Sequence, residues 1–199
     1  MSFQIKQCLA GGYEVEGLYE LIPQIYEDKR GYVIESYNSK DFSSLGFNMI
    51  FVQENQSFST KGVLRGLHFQ KKHTQGKLLR CASGKILDVV VDLRKDSPTF
   101  GRSYTTILDS DIQNQIYIPC GFAHGFYVIS DTAICSYKTT DYYFPEDEGG
   151  IIWNDPVLDI NWPFNWQETP PVLSDKDKNL SLFDPSADYF DKNGQWIQN

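Results

Sequence analysis

The chemistry this chain can do depends on a few residues in otherwise apolar runs. Residues 63–70 read VLRGLHFQ, an arginine and a histidine in a β-prone stretch broken by one glycine. Histidine is the side chain whose ordinary pKa lies nearest neutrality, which suits a base. Metal-free proton transfer needs a base, an acid and a group to hold developing negative charge. By residue type His68 is the base, Lys77 and Arg65 the candidates for an oxyanion, and Tyr137 the candidate acid. The same types also fit an edge strand with solvated polar groups and a tyrosine tied into a core. A metal-dependent barrel oxygenase needs several histidines and a carboxylate, typically with two histidines two apart. The chain holds only His68, His73 and His124, with no His-x-His pair, and His73 sits in a lysine-rich loop that favours a solvated ring.

The elements that must position these groups are strands. Strict alternation puts His68 and Gln70 on one face of their run and Arg65 on the other, so the two polar residues would diverge. Gly66 lies between them and is the place for a bulge that would bring both to one pocket. Lys77 shares a face with Leu79 and Cys81, which puts it either at a strand end or inside a pocket. Tyr137 shares a face with Ala133, Cys135 and Thr139, which points it inward. Gln53 and Asn55 fall together on one strand face, two amides able to bind a ligand or each other. Residues 85–94 alternate strongly, with Asp88 and Asp92 on the face opposite Leu87, Val89, Val91 and Leu93. Residues 38–45 are the best short-helix candidate, with Ser39 as cap and Gly46 as terminator. Residues 145–150 read as an acidic turn and 151–156 as a strand running into a stop. Beyond these the chain loses periodicity, and residues 180–199 read as a tail packed on or near the body.

At 199 residues the chain suits one domain with a sizeable core. A net charge of -8 opposes a nucleic-acid surface, which needs clustered positive charge. Cys8, Cys81, Cys120 and Cys135 are widely spaced without a C-x-x-C, against a zinc ribbon or redox motif. No signal peptide or apolar run of membrane-spanning length stands out, so a cytoplasmic protein with reduced thiols and no membrane contact is expected. Many short strands, turn signals about every ten residues and little helix predict an all-β sandwich, jelly roll or small barrel.

Several longer runs carry a resemblance. Gly62–Gln70, Gln75-Gly76-Lys77-Leu78, Val91–Arg94 with Ser97–Gly101, Ile118–Phe126, Tyr137–Tyr143 and Trp153–Pro156 closely resemble the dTDP-4-dehydrorhamnose 3,5-epimerase family. Asp28-x-Arg30-Gly31, Gln53-Glu54-Asn55 and Leu173–Asp177 match as well, so the resemblance runs in one order over roughly residues 15–180. It implies a cupin-like jelly roll without metal or other cofactor, forming a homodimer, and a dTDP-linked 4-keto-6-deoxy sugar as substrate. Both carbons flanking that ketone carry acidified protons. By resemblance His68 is the base, Asp177 its carboxylate partner, Lys77 the neighbour of the enolate oxygen and Tyr137 the acid on the opposite face. Gln53, Asn55, Arg65, His124, Glu148 and Lys176 match substrate-contact positions. Arg30 and Glu35 match positions supplied across the dimer. Many members carry a histidine where this chain has Gln56, and nothing in the resemblance accounts for residues beyond Leu180. Rival readings are a relative that inverts one centre only and a sugar-nucleotide-binding module that has lost catalysis. The intact set of His68, Lys77, Tyr137 and Asp177 opposes the second.

Overall fold

The alternating apolar runs become strand after strand. A computed structural model describes residues 3–165 and 167–197. Among these residues the strands are β1 (Phe3–Ala10), β2 (Tyr13–Pro23), β3 (Ile25–Asp28), β4 (Gly31–Ile34), β5 (Gln53–Thr60), β6 (Leu64–Gln70), β7 (Lys77–Ser83), β8 (Lys85–Asp92), β9 (Ser103–Asp109), β10 (Gln115–Ile118), β11 (Phe122–Val128), β12 (Thr132–Thr139) and β13 (Glu148–Gly150). Helix is confined to α1 (Ser39–Ser44), α2 (Asp175–Lys178) and one 3-10 turn at Pro145–Asp147.

Six strands form one sheet in the order β1-β2-β10-β7-β12-β5, and five form a second, β13-β6-β11-β8-β9. The two sheets face each other. Leu79, Cys81, Ile116 and Cys135 from the first interlock with Ile86, Val90, Phe126 and Val128 from the second in one buried cluster. This is a cupin-like jelly roll. Strand β8 is buried on both faces. Ile86 and Val90 point into the barrel, while Leu87, Val89 and Val91 point outward under the C-terminal third of the chain. Each such side chain contributes roughly 1.5–3 kcal/mol by leaving water. Phe42 of α1 plugs the outer face of the first sheet with Phe3, Leu21, Phe47 and Leu78.

Two local expectations need correction. The helix is capped by Asn38, not Ser39: the Asn38 side chain accepts hydrogen bonds from the Lys40 and Asp41 amides, and Ser39 is already helical. The strand expected over 151–156 lies earlier, at β13. Gly149 pairs with Phe69 and Gly150 with His68, whereas beyond them Ile151 makes only an isolated bridge to Ser181. Two glycines read as a turn, yet they form strand here because Phe69 presses so close to Gly149 that a β-carbon would not fit. Among the described residues no helix is long and apolar enough to cross a membrane.

Candidate active site

The site begins with a fault in β6. Arg65 pairs with Phe126 of β11 and His68 pairs with His124, so Gly66 and Leu67 together oppose only Gly125. Two residues against one is a bulge, and it restores a shared face to residues three apart. Phe126 and His124 are two apart on β11, so their partners Arg65 and His68 both point into the barrel. Gly66 adopts φ +125°, and a β-carbon there would lie 2.5 Å from the Gly125 Cα. Only glycine fits this crossing.

A cavity of about 830 Å³ opens over this face. Of the predicted site residues, Gln53, Asn55, Arg65, His68, Lys77, His124, Tyr137, Glu148, Lys176 and Asp177 line it. Arg30 and Glu35 do not. Arg30 lies exposed on the β3–β4 hairpin, ion-paired to Asp28 at 2.5 Å, and Glu35 accepts a hydrogen bond from Asn38. His73 lies in the loop after β6, stacked on Phe144 at 3.9 Å and paired with Asp141.

His68 Nε2 lies 2.5 Å from Asp177 Oδ1. Burial works against a charge on Asp177, yet the hydrogen bond and charge of His68 hold its carboxyl below the usual range. Asp177 is therefore a carboxylate and accepts from Nε2–H, so in the neutral ring the lone pair is on Nδ1. The α2 turn builds this contact, because Ser174 caps it by accepting from the Asp177 amide. Glu148 Oε1 sits 3.8 Å from Nδ1 and 2.8 Å from Lys176 Nζ, and Glu148 Oε2 accepts from the Tyr143 hydroxyl at 2.8 Å. Burial opposes the charge on Glu148 too, but Lys176, Tyr143 and His68 together keep its pKa low.

Tyr137 and Lys77 stand on the other sheet. Tyr137 of β12 pairs with Asn55 of β5 and Leu79 of β7, while Thr139 pairs with Gln53 and Lys77 one row along. Burial raises the Tyr137 phenol, with Arg65 and a hydrogen bond to Asn55 pulling the other way. Burial pushes the Lys77 ammonium down to about 8, against the pull of Glu148 and Asp88. Lys77 lines the cavity, and among the described residues it makes no ion pair, so its ammonium protons face the cavity free for an oxyanion. Gln53 donates to Asn55 at 3.0 Å, so the two amides are joined as well as adjacent.

A chain that sets a His–Asp pair and a tyrosine across one cavity of this fold has a family. The family model for dTDP-4-dehydrorhamnose 3,5-epimerase matches residues 12–184. The chain belongs to the dTDP-4-dehydrorhamnose 3,5-epimerase family. Over 166 residues it is 49% identical to the dTDP-4-dehydrorhamnose 3,5-epimerase of Salmonella typhimurium, covering 82% of this chain and 89% of that relative. The crystal structure of dTDP-6-deoxy-D-glucose-3,5-epimerase from Legionella pneumophila in complex with dTDP-4-keto-L-rhamnose superposes with a TM-score of 0.83 at 44% identity, covering 90% of this chain and 93% of that one. A 3'-monoepimerase from Streptomyces bikiniensis, in complex with dTDP-quinovose, is also similar, with a TM-score of 0.78 at 33% identity and 84% of each chain covered.

Within this epimerase fold two polar groups escaped the sequence reading. Asp88 Oδ2 lies 2.7 Å from Nε2 of His124, which lines the cavity, making a second His–carboxylate pair. Its signal was an aspartate amid the valines of β8. Tyr143 lines the cavity and donates to Glu148, but it lies in an irregular stretch with no periodicity to assign it a face.

Proposed function

We propose that this chain inverts carbons 3 and 5 of dTDP-4-dehydro-6-deoxy-D-glucose, giving dTDP-4-dehydro-L-rhamnose. The observation that supports this best is the placement of His68 and Tyr137 on opposing sheets across one cavity. Inversion at carbon requires a proton to leave one face and another to arrive at the opposite face. His68 takes the proton of a carbon beside the ketone, and the C–H electron pair moves into an enolate. Asp177 stabilises the resulting imidazolium and fixes the ring, as in other His–Asp pairs. Lys77 holds the enolate oxygen. Tyr137 then gives its proton to the other face, the ketone re-forms, and the proton on His68 returns through solvent to the phenolate. Gln53, Asn55, Arg65 and His124 bind the nucleotide sugar, with Glu148 and Lys176 at the mouth. No step calls for a cofactor.

The proposal includes a homodimer. Arg30 and Glu35 do not line the cavity that holds His68, and the hairpin beside them carries Tyr26, Tyr32 and Val33, each more than half exposed. Exposed apolar patches of this kind mark interfaces. The hairpin would bring Arg30 and Glu35 to the cavity of a second copy.

The test is incubation with the 4-keto sugar nucleotide in deuterated water, followed by mass spectrometry and proton NMR. Two deuterons, at carbons 3 and 5, are expected, and Tyr137→Phe should exchange protons yet complete little inversion. A single deuteron would instead assign a single-centre epimerase, the reading that the similarity to the Streptomyces monoepimerase favours. No exchange with dTDP still bound would leave a binding module.

A further inference from the structure

The family match ends at residue 184, and the chain beyond it packs closely against the barrel. Phe190 is fully buried. Its carbonyl accepts from the Lys95 amide at 2.6 Å and its own amide donates to Leu93. Asp188 pairs with Lys95 at 2.6 Å. The chain then turns through Gly194, at φ +79° and with no room for a β-carbon against Cys120, and returns so that Trp196 bridges to Phe190.

Three rings of this segment converge on one residue. Trp196 stacks on Phe69 at 6.0 Å, Phe190 meets it edge-on at 5.5 Å and Tyr189 at 6.2 Å. Phe69 follows His68 in β6 and points to the outer face of the sheet. It also presses on Gly149 of β13, its register partner. Strand β13 is an edge strand that among the described residues pairs with β6 only, and it carries Glu148. A shift of the Phe69 ring would therefore move β13 and, with it, the 3.8 Å separation of Glu148 from His68.

We infer that residues 185–197 are a clamp that sets Glu148 against His68, with Phe190 and Trp196 as positioning residues acting through Phe69 and β13. The inference rests on the role proposed above for His68 as the base, which Glu148 faces at 3.8 Å. None of residues 185–197 lines the cavity that holds His68.

The test compares Trp196→Ala with Trp196→Phe in the full chain. Deuterium incorporation gives kcat and KM, dTDP titration gives the number and affinity of sites, and ¹⁵N-histidine NMR gives the His68 ring signals. Trp196→Ala should lose about tenfold to a hundredfold in kcat, the range for a small misplacement of catalytic groups. It should bind dTDP with unchanged stoichiometry and affinity, and its His68 signals should move. Trp196→Phe should restore most of the rate and return the signals. Unchanged His68 signals in Trp196→Ala overturn the clamp, as does a rate loss matched by an equal loss of dTDP sites, which marks simple unfolding. If the unaltered protein binds dTDP but exchanges no proton, the catalytic reading fails instead. The ring signals still decide the clamp in that case.

Discussion

Lys77 is the residue whose environment makes the sharpest claim. A buried ammonium group loses hydration that Glu148 and Asp88 only partly replace, so its pKa falls from 10.5 to about 8. Below that pH it is a cation and can stabilise an enolate; above it the charge is lost. The pH profile of kcat/KM, which reports groups of the free enzyme, should therefore fall through an alkaline limb near 8. The Tyr137 phenol, raised above its ordinary 10, remains protonated in that range and cannot produce the limb. Lys77→Arg should be slower at neutral pH but should lack the limb, because a guanidinium keeps its charge. A limb that survives in Lys77→Arg would assign it to another group. The linkage to stability has the same origin. The folded state disfavours the ammonium, so this lysine destabilises the fold below about pH 8 and the penalty fades between there and 10.5.

Among the elements, β6 holds the decisive feature. Its bulge turns a strand that alternation would split into one that presents Arg65 and His68 together. The crossing with β11 is glycine against glycine, since a β-carbon on Gly66 would also lie 2.8 Å from the His124 carbonyl. Gly66→Ala should destabilise the protein by at least about 3 kcal/mol, combining backbone strain at positive φ with a clash against main chain that cannot swing away. Urea unfolding would measure this. A Gly66→Ala protein as stable as the parent would mean that the bulge can move, and the shared face of Arg65 and His68 would need another explanation.

For the whole molecule, the hairpin of β3 and β4 decides whether one chain makes a complete site. If Arg30 serves the cavity of a second copy, subunits of His68→Asn and Arg30→Ala should rescue each other when refolded together. In a mixed dimer the subunit with intact His68 receives the intact Arg30 of its partner, so an equal mixture should recover about one quarter of full activity for a twofold dimer assembled at random. If both residues act within one chain, mixing recovers nothing.

Much of this was legible in one dimension because β-structure has a period of two. Alternation alone pointed Tyr137 inward with Cys135, put Gln53 and Asn55 on one face, and marked Gly66 as a place where a bulge could bring Arg65 and His68 together. The motifs from Gly62 to Asp177 carried the family and with it the expected partnership of His68 and Asp177. Distance in space was not legible. The 2.5 Å contact between residues 109 apart depends on a four-residue helix that no periodicity signals, and its cap lies in a proline- and aspartate-rich stretch. Asp88 beside His124, Tyr143 on Glu148, and three aromatic rings closing on Phe69 all follow from strands and loops that meet only after folding. The chain's own pattern determined which side chains face inward, since that depends on neighbours two residues away. Tertiary structure alone decided which of them meet across the cavity, because that depends on how two sheets close over one another.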